Sequence, residues 1–207
     1  MDIQPEKLIN MTQIKAVIFD VGGVLHYNSA DLFFDDIASE MGISNDDFKK
    51  LCKPQLYLFG TGKIDEPEFW RQFINANKID RPIPSSSLWS RKFENKKDES
   101  VLDIVRGLKA KDISVAVCSN TIEPHAKLNR DAGVYDLFPI VVLSHEVGYQ
   151  KPDPKIFEIT LDKLGVKPDE AVFVDDGKNN VLAAEKLGMK GIIFENAKQL
   201  EETLQKF

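Results

Sequence analysis

Several polar residues directly follow short apolar runs of the kind that form buried strands. They are Asp20, the pair Ser119 and Asn120, and the pair Asp175 and Asp176. A lysine, Lys151, lies in the loop after a further apolar run, Ile140–Leu143. Three carboxylates in one place repel one another unless a cation or a shared proton offsets their charge. A hard divalent ion is the simple offset, and Mg²⁺ binds through one or two carboxylates together with substrate phosphate.

These residues converge only if the apolar runs form one parallel sheet. Five predicted strands alternate with helical segments, which is typical of an α/β fold with a parallel sheet covered on both faces. The predicted strands are Ile14–Phe19, Ile113–Cys118, Ile140–Leu143, Ala171–Val174 and Gly191–Phe194. In such sheets ligands bind outside the carboxyl ends of the strands, where the polar residues stand. One predicted helix has clear signals at both ends: Asp153 caps it, Pro154 starts it, and it ends at Gly165.

A stretch with a different spacing of apolar residues interrupts this alternation of strands and helices. Apolar residues recur at helical spacing between residues 29 and 97, as in Ile37, Ala38 and Met41. We find no strand pattern there, so we predict a helical cap over residues 29–97, inserted into a core made of residues 1–28 and 98–207. Met11 is a second plausible start and lies directly before the first strand, so residues 1–10 are predicted to be an N-terminal extension with little structural role.

Composition and charge limit the partners of this protein. The 207-residue chain has a formal net charge of −6, which disfavours binding to a nucleic acid backbone. No apolar run approaches the length of a membrane span, and the N-terminus lacks the pattern of a signal peptide. The only cysteines, Cys52 and Cys118, are far apart and indicate a reducing compartment. We therefore expect a cytoplasmic protein without nucleic acid or membrane partners, as a monomer or weak homodimer.

Four ordered motifs together resemble those of the haloacid dehalogenase-like (HAD) hydrolase superfamily. The motifs are Phe19-Asp20-Val21-Gly22-Gly23-Val24-Leu25, Cys118-Ser119-Asn120, Lys151-Pro152-Asp153-Pro154, and Val174-Asp175-Asp176 followed by Asn180-Val181. The resemblance covers residues 14 to 188. The helical insertion after the first motif is similar to the cap of subfamily I members. Within the superfamily, the motif sequences are similar to those of the branch that contains glucose-1-phosphate phosphatase-like proteins and the N-terminal phosphatase domain of soluble epoxide hydrolase.

This resemblance implies a Rossmann-like three-layer core and a role for each motif residue. Asp20 would be the nucleophile that forms an aspartyl-phosphate, which water then hydrolyses. Ser119 and the backbone N–H of Asn120 would hold phosphate oxygens, and Lys151 would neutralise charge on the nucleophile and the transferring group. The implied Mg²⁺ ligands are Asp20, the backbone carbonyl of Gly22, Asp176, and Asp175 through water. For Asn180, helix capping and loop fixing both stay open.

The sequence departs from the family at one catalytic position. Phosphatases of this superfamily usually carry a second Asp two residues after the nucleophile, where it protonates the leaving group; here that residue is Gly22. The backbone carbonyl needed for Mg²⁺ survives this change, whereas acid catalysis does not. His26 is the nearest titratable substitute, because an imidazole exchanges protons near neutral pH. The alternative is that His26 is a surface-loop histidine; His125 and His145 are weaker candidates.

These residues predict a Mg²⁺-dependent phosphatase acting on a small phosphorylated metabolite, slow on poor leaving groups because it lacks the usual acid. One alternative is a non-catalytic protein that binds a phosphorylated ligand or partner, which Gly22 would permit. A second is a metal-free haloacid dehalogenase, which also lacks the second Asp. The carboxylate pair Asp175-Asp176 disfavours this second alternative, because a metal-free site has little reason to gather those charges.

Overall fold

The architecture is that of a parallel sheet between two layers of helices, with further helices inserted after the first strand. The computed structural model describes residues 14–26, 30–91, 93 and 96–207. The N-terminal extension predicted for residues 1–10 and the predicted boundary between residues 28 and 29 lie outside these ranges. Within them, no helix is long and apolar enough to span a bilayer.

Five strands form one parallel sheet in the order β3-β2-β1-β4-β5. Their bounds are β1 Ala16–Phe19, β2 Ser114–Ser119, β3 Ile140–Leu143, β4 Ala171–Asp175 and β5 Lys190–Ile193. The predicted five-stranded α/β fold is therefore confirmed. The order puts β1 at the centre, with β2 on one side and β4 on the other. Whatever follows β1 consequently lies between the residues that follow β2 and β4.

Helices cover both faces of the sheet because the three central strands are apolar on both faces. Alternate strand residues such as Val17 and Phe19 pack in one apolar cluster, whereas Ile18 packs in another on the opposite face. The helices of the core are α5 Glu99–Ala110, α6 Glu123–Asp131, α7 Ser144–Val147, α8 Pro154–Leu164, α9 Lys178–Lys186 and α10 Ala197–Leu204. Burial of these strand residues stabilises the fold by roughly 1.5–3 kcal/mol for each large apolar side chain.

Between residues 30 and 91 the chain forms four helices and no strand. They are α1 Ala30–Met41, α2 Asn45–Leu51, α3 Lys53–Gly60 and α4 Glu66–Asn77. Two of them begin with a side-chain cap: Ser44 accepts a hydrogen bond from the backbone N–H of Asp47, and Asp65 accepts one from that of Glu68. Their apolar sides form a separate cluster rich in aromatic residues, and Ile122 from the core joins it. The division into core and cap at residues 29 and 97 remains a prediction.

Several predicted boundaries shift by a few residues. Helix α8 has the predicted cap at Asp153 and ends at Gly165, which adopts the left-handed conformation. Strand β1 begins at Ala16 rather than at the predicted Ile14, and β5 is Lys190–Ile193 rather than Gly191–Phe194. The short helix α7 was not predicted, since four residues carry too little periodicity.

Candidate active site

The predicted polar residues meet at the carboxyl edge of the sheet. Asp20 follows β1, and its backbone N–H donates to the carbonyl of Val174 at 2.8 Å. Ser119 ends β2 and Asp175 ends β4, so the strand order places them on either side of Asp20. Asp20, Ser119, Lys151 and Asp175 are all buried. Four polar side chains buried together need partners, because an unpaired buried charge is strongly unfavourable.

Lys151 supplies the compensating charge. Its Nζ lies 2.8 Å from Asp20 Oδ1 and 2.6 Å from Asp175 Oδ2, and only 2% of the residue is exposed. Burial by itself lowers the pKa of Lys151, but the attraction of Asp20 and Asp175 outweighs it and holds the pKa above its usual value. Lys151 is therefore a fixed cation between two carboxylates.

Asn120 fixes the position of Lys151 through its side chain. Its Oδ1 accepts from the backbone N–H of Lys151 at 2.7 Å, and its Nδ2 donates to the Lys151 carbonyl at 2.8 Å. The sequence predicts only that the backbone N–H of Asn120 binds phosphate. This side-chain contact joins residues 31 positions apart, so spacing alone carries no signal for it.

The three carboxylates lie close enough to share one ion. Asp20, Asp175 and Asp176 each offer an oxygen within 4.8 Å of the others. Burial, and then the negative charge of Asp20, raise the pKa of Asp175. Burial, and then the negative charge of Asp175, raise the pKa of Asp176. Both shifts reflect burial first and the mutual repulsion of the carboxylates second, and a divalent cation would relieve that repulsion.

The hydrogen bonds distinguish the three carboxylates. Asp175 is engaged on both oxygens: it accepts from Lys151, from the backbone N–H of Gly177 at 2.7 Å, and from Asn180 Nδ2 at 3.1 and 3.2 Å. Asp176 is exposed at the edge of the site. Asp20 Oδ1 is buried and, although Lys151 is at ion-pair distance, no donor is aligned with it for a hydrogen bond. The Asp20 oxygen without a hydrogen bond and the more exposed carboxylate of Asp176 are oxygen ligands of the kind that Mg²⁺ prefers.

Asn180 has one clear structural role. It lies in the first turn of α9, whose N-cap is Gly177, so Asn180 does not cap that helix. Both of its contacts go to the carboxylate of Asp175. Of the two roles that the sequence leaves open, the structure supports fixing the loop after β4.

The two glycines after Asp20 meet different surroundings. Gly23 has a φ of +78°, in the left-handed region that favours glycine, and a Cβ there would displace the carboxylate of Asp176. Gly22 has no such restriction: its φ is not in the left-handed region, and no heavy atom of the described residues lies within 4 Å of where its Cβ would be. The position that usually carries the acid is therefore open space. The role of the Gly22 carbonyl as a metal ligand remains a prediction.

His26 is buried rather than part of a surface loop. Only 5% of it is exposed, and its ring meets that of Phe93 edge-on, with the centroids 5.8 Å apart. Its backbone closes the turn after β1, since its carbonyl accepts from the N–H of Gly23 at 2.9 Å. The surface-loop alternative is therefore wrong, because two residues far along the chain cover His26: Phe93 packs against its ring, and Lys97 forms an antiparallel β-bridge with its backbone. Its role as proton donor remains a prediction.

A cavity of about 340 Å³ adjoins the site between α3 and the segment that follows β2. Asn120 and Thr121 line it from the core, and Lys53 and Tyr57 line it from α3. The sequence does not predict this cavity, because its wall joins residues that are distant along the chain.

Comparison with known proteins gives a consistent family. Residues 14–188 match the family model described as haloacid dehalogenase-like hydrolase. The D-ribitol-5-phosphate phosphatase of Bacteroides thetaiotaomicron is 26% identical over 205 residues, covering 92% of this chain and 97% of that protein. The sesquiterpene phosphatase astK of Aspergillus oryzae is 28% identical over 185 residues, covering 87% of this chain and 90% of that protein.

Solved structures share the fold. A predicted HAD-like family hydrolase from Porphyromonas gingivalis superposes with a TM-score of 0.76 at 24% identity, covering 94% of this chain and 99% of that one. The HAD family enzyme bt-2542 of Bacteroides thetaiotaomicron, in complex with magnesium and inorganic phosphate, superposes with a TM-score of 0.73 at 24% identity, covering 90% and 98%. Because the family model spans most of the chain, the protein belongs to the haloacid dehalogenase-like hydrolases.

Proposed function

We propose that this protein is a Mg²⁺-dependent phosphatase that hydrolyses a small phosphorylated metabolite through an aspartyl-phosphate on Asp20. The observation that carries the proposal is the placement of Asp20. It is a buried carboxylate at the carboxyl end of the central strand, 2.8 Å from a fixed cation and with one oxygen lacking an aligned donor. Relatives named as phosphatases of phosphorylated small molecules support the same class.

The first step is attack by an Asp20 oxygen on phosphorus. The bond from Asp20 to phosphorus forms as the bond from phosphorus to the alcohol oxygen breaks, and that oxygen leaves with the electron pair. Lys151 stabilises the negative charge on the transferring group, and Asn120 keeps Lys151 in place. Ser119 and the backbone N–H of Asn120 are the proposed partners of the phosphate oxygens.

The second step is attack by water on the phosphorus of the aspartyl-phosphate, which releases phosphate and regenerates Asp20. Asp20, Asp176 and the Gly22 carbonyl are the proposed ligands of Mg²⁺, with Asp175 acting through water because its oxygens are already engaged. When bound, Mg²⁺ supplies charge stabilisation to phosphate oxygens that carry negative charge. Covalent catalysis thus divides one difficult hydrolysis into two easier displacements.

Proton supply to the leaving group is the open step. Gly22 offers no acid, and His26 is the candidate that the sequence indicates. If His26 is the donor, His26→Gln lowers turnover of alkyl phosphates and leaves turnover of 4-nitrophenyl phosphate, whose leaving group needs no proton, unchanged. Equal effects on both substrates would remove His26 from this role.

The experiment that tests the proposed function is phosphate release by the purified protein with Mg²⁺ or with EDTA. The substrates are 4-nitrophenyl phosphate and a panel of sugar and nucleoside phosphates. We expect release that needs Mg²⁺ and that falls by roughly 10⁴-fold or more in Asp20→Asn, since the nucleophile is lost. Asp162→Asn, which changes an exposed carboxylate on α8, is the matched control and should retain full activity.

A non-catalytic phospho-ligand protein is the second candidate, and the open space at Gly22 is the observation in its favour. Such a protein needs no nucleophile, so Asp20→Asn would retain its ligand. If the unaltered protein releases no phosphate from any substrate with Mg²⁺ present, the phosphatase proposal is wrong and this candidate takes its place.

A further inference from the structure

The cavity beside Asn120 is placed to receive what the phosphate is attached to. Asn120 lines the cavity and also holds the backbone of Lys151, whose Nζ lies 2.8 Å from Asp20. A phosphate bound between Asp20 and Ser119 therefore has the cavity beside it. Its volume of about 340 Å³ is at the lower end of the range for small-molecule sites, which suits a leaving group of about one substituted ring.

The cavity has an aromatic and apolar wall. Tyr57 and Leu56 line it from α3, Trp89 from the segment after α4, and Ile122 from the segment after β2. Tyr57 is 46% exposed, and Lys63 Nζ lies 5.4 Å from the centroid of its ring. Aromatic rings favour aromatic partners by about 0.5–1.5 kcal/mol beyond the gain from buried area.

The charge of the cavity has one sign. Among the described residues that line it, none is acidic and Lys53 is the only lysine or arginine. Lys53 is exposed and is the first residue of α3, directly after Cys52, which is the C-cap of α2. His125, which also lines the cavity, adds no charge at neutral pH, because burial lowers its pKa to about 4.

We propose that this cavity selects aryl phosphates whose ring carries an anionic substituent, with the ring against Tyr57 and Leu56 and the anionic group facing Lys53. The proposal rests on the proposed phosphatase function. Gly22 supports it independently: an aryl oxide leaves with less need for a proton than an alkyl oxide does, and the usual position of the acid is open space. A carboxylate is the simplest anionic substituent to test.

The test compares 4-carboxyphenyl phosphate with 4-carbamoylphenyl phosphate, which have nearly the same shape. The carboxylate is less electron-withdrawing than the carbamoyl group, so the intrinsic reactivity of the two esters favours the carbamoyl compound. We expect a KM about fivefold lower for 4-carboxyphenyl phosphate, as is typical of a solvent-accessible charge pair, with little change in kcat. Ribitol and glucose phosphates should show a kcat/KM at least tenfold lower than either aryl ester.

Two matched variants assign the preference to Lys53. Lys53→Met should abolish the difference in KM between the two aryl esters, whereas Lys50→Met, on an exposed position of α2 outside the cavity, should retain it. Tyr57→Ala should raise KM for both aryl esters by up to about tenfold. Calorimetric titration with 4-hydroxybenzoate, the product of the first ester, tests the cavity without turnover and should show weaker binding to Lys53→Met.

The outcomes separate this inference from the proposed function. If 4-nitrophenyl phosphate and every other ester are inert, the phosphatase proposal fails, and absence of 4-hydroxybenzoate binding then overturns the cavity proposal as well. If 4-nitrophenyl phosphate is hydrolysed but sugar phosphates match the aryl esters, or the carboxylate preference survives in Lys53→Met, only the cavity proposal is overturned.

Discussion

Gly22→Asp is the substitution that most directly tests the account of the leaving group. Gly22 lies two residues after Asp20, at the position where phosphatases of the family usually carry an acid. A Cβ at Gly22 meets no heavy atom within 4 Å, and the backbone there is not in the left-handed region. An aspartate can therefore be added without displacing a neighbour, and we expect the free energy of unfolding to change by about 1 kcal/mol or less.

The size of the effect depends on the leaving group. A positioned general acid contributes about 10²–10⁴-fold when the departing oxygen needs a proton. For alkyl phosphates we therefore expect Gly22→Asp to raise kcat/KM by about 10²-fold or more. For 4-nitrophenyl phosphate we expect a change of about twofold or less, because 4-nitrophenoxide leaves without a proton.

The assay is a series of phosphate esters that spans a wide range of leaving-group pKa. The logarithm of kcat/KM is plotted against that pKa for both proteins. The unaltered protein should show a steep negative slope, and Gly22→Asp a shallow one. Gly22→Asn is the control, because the asparagine side chain has nearly the same shape as aspartate but cannot act as a general acid.

Three results would contradict this prediction. A parallel shift of all substrates without a change in slope would mean that proton donation at residue 22 does not limit the reaction. An equally shallow slope in Gly22→Asn would mean that side-chain volume, rather than acid chemistry, is responsible. A shallow slope in the unaltered protein would instead show that another group, with His26 first, already donates the proton.

Three further predictions concern stability and metal binding. Gly23→Ala should destabilise the protein by about 1–3 kcal/mol in urea unfolding, because the backbone at Gly23 has a φ of +78°, and should weaken Mg²⁺ binding, because its Cβ would displace the carboxylate of Asp176; Gly22→Ala should do neither. Lys151→Met should cost about 3–5 kcal/mol in the same measurement, since it leaves two buried carboxylates without their cation; a loss under 1 kcal/mol would contradict this. Burial lowers the pKa of His125 to about 4, so between its ordinary value of 6.5 and pH 4 the unfolded chain binds the extra proton. As pH is lowered from 6.5 to 4, the free energy of unfolding should therefore decrease by up to about 3 kcal/mol more than it does in His125→Gln. Parallel pH profiles of the two proteins would contradict the lowered pKa of His125.

The catalytic edge could be predicted because its residues are fixed by local signals. Short β-branched runs mark the strands, and a polar residue directly after a run lies at the carboxyl end of that strand. Asp20, Ser119 and Asp175 therefore lie at the same edge once the sheet is parallel. Which of these strand ends are neighbours depends on the strand order, which the structure supplies: β1 lies between β2 and β4.

The contacts that tune those residues could not be predicted in the same way. The side chain of Asn120 holds Lys151, and Asn180 holds Asp175, through hydrogen bonds that depend on how two loops lie against each other. His26 shows the same limit, because the aromatic partner that its ring meets is Phe93, 67 positions away, within the stretch predicted as cap. Periodicity describes one segment at a time, and these contacts join two.

In the proposed enzyme, cleavage and selection are carried out by different parts of the chain. The proposed nucleophile, the fixed cation and the position of Gly22 belong to the ends of core strands and the loops that follow them, so in that enzyme they decide which leaving groups depart quickly. Lys53 and Tyr57 belong to α3 and contact only the leaving group in the proposed complex, so they decide which substrates bind. Lys53 would act on the ring substituent and on KM, whereas an acid at residue 22 would act on the departing oxygen and on kcat, so we expect the two effects to add as free energies. The rate gain of Gly22→Asp should therefore persist in Lys53→Met, and the loss of carboxylate preference should persist in Gly22→Asp.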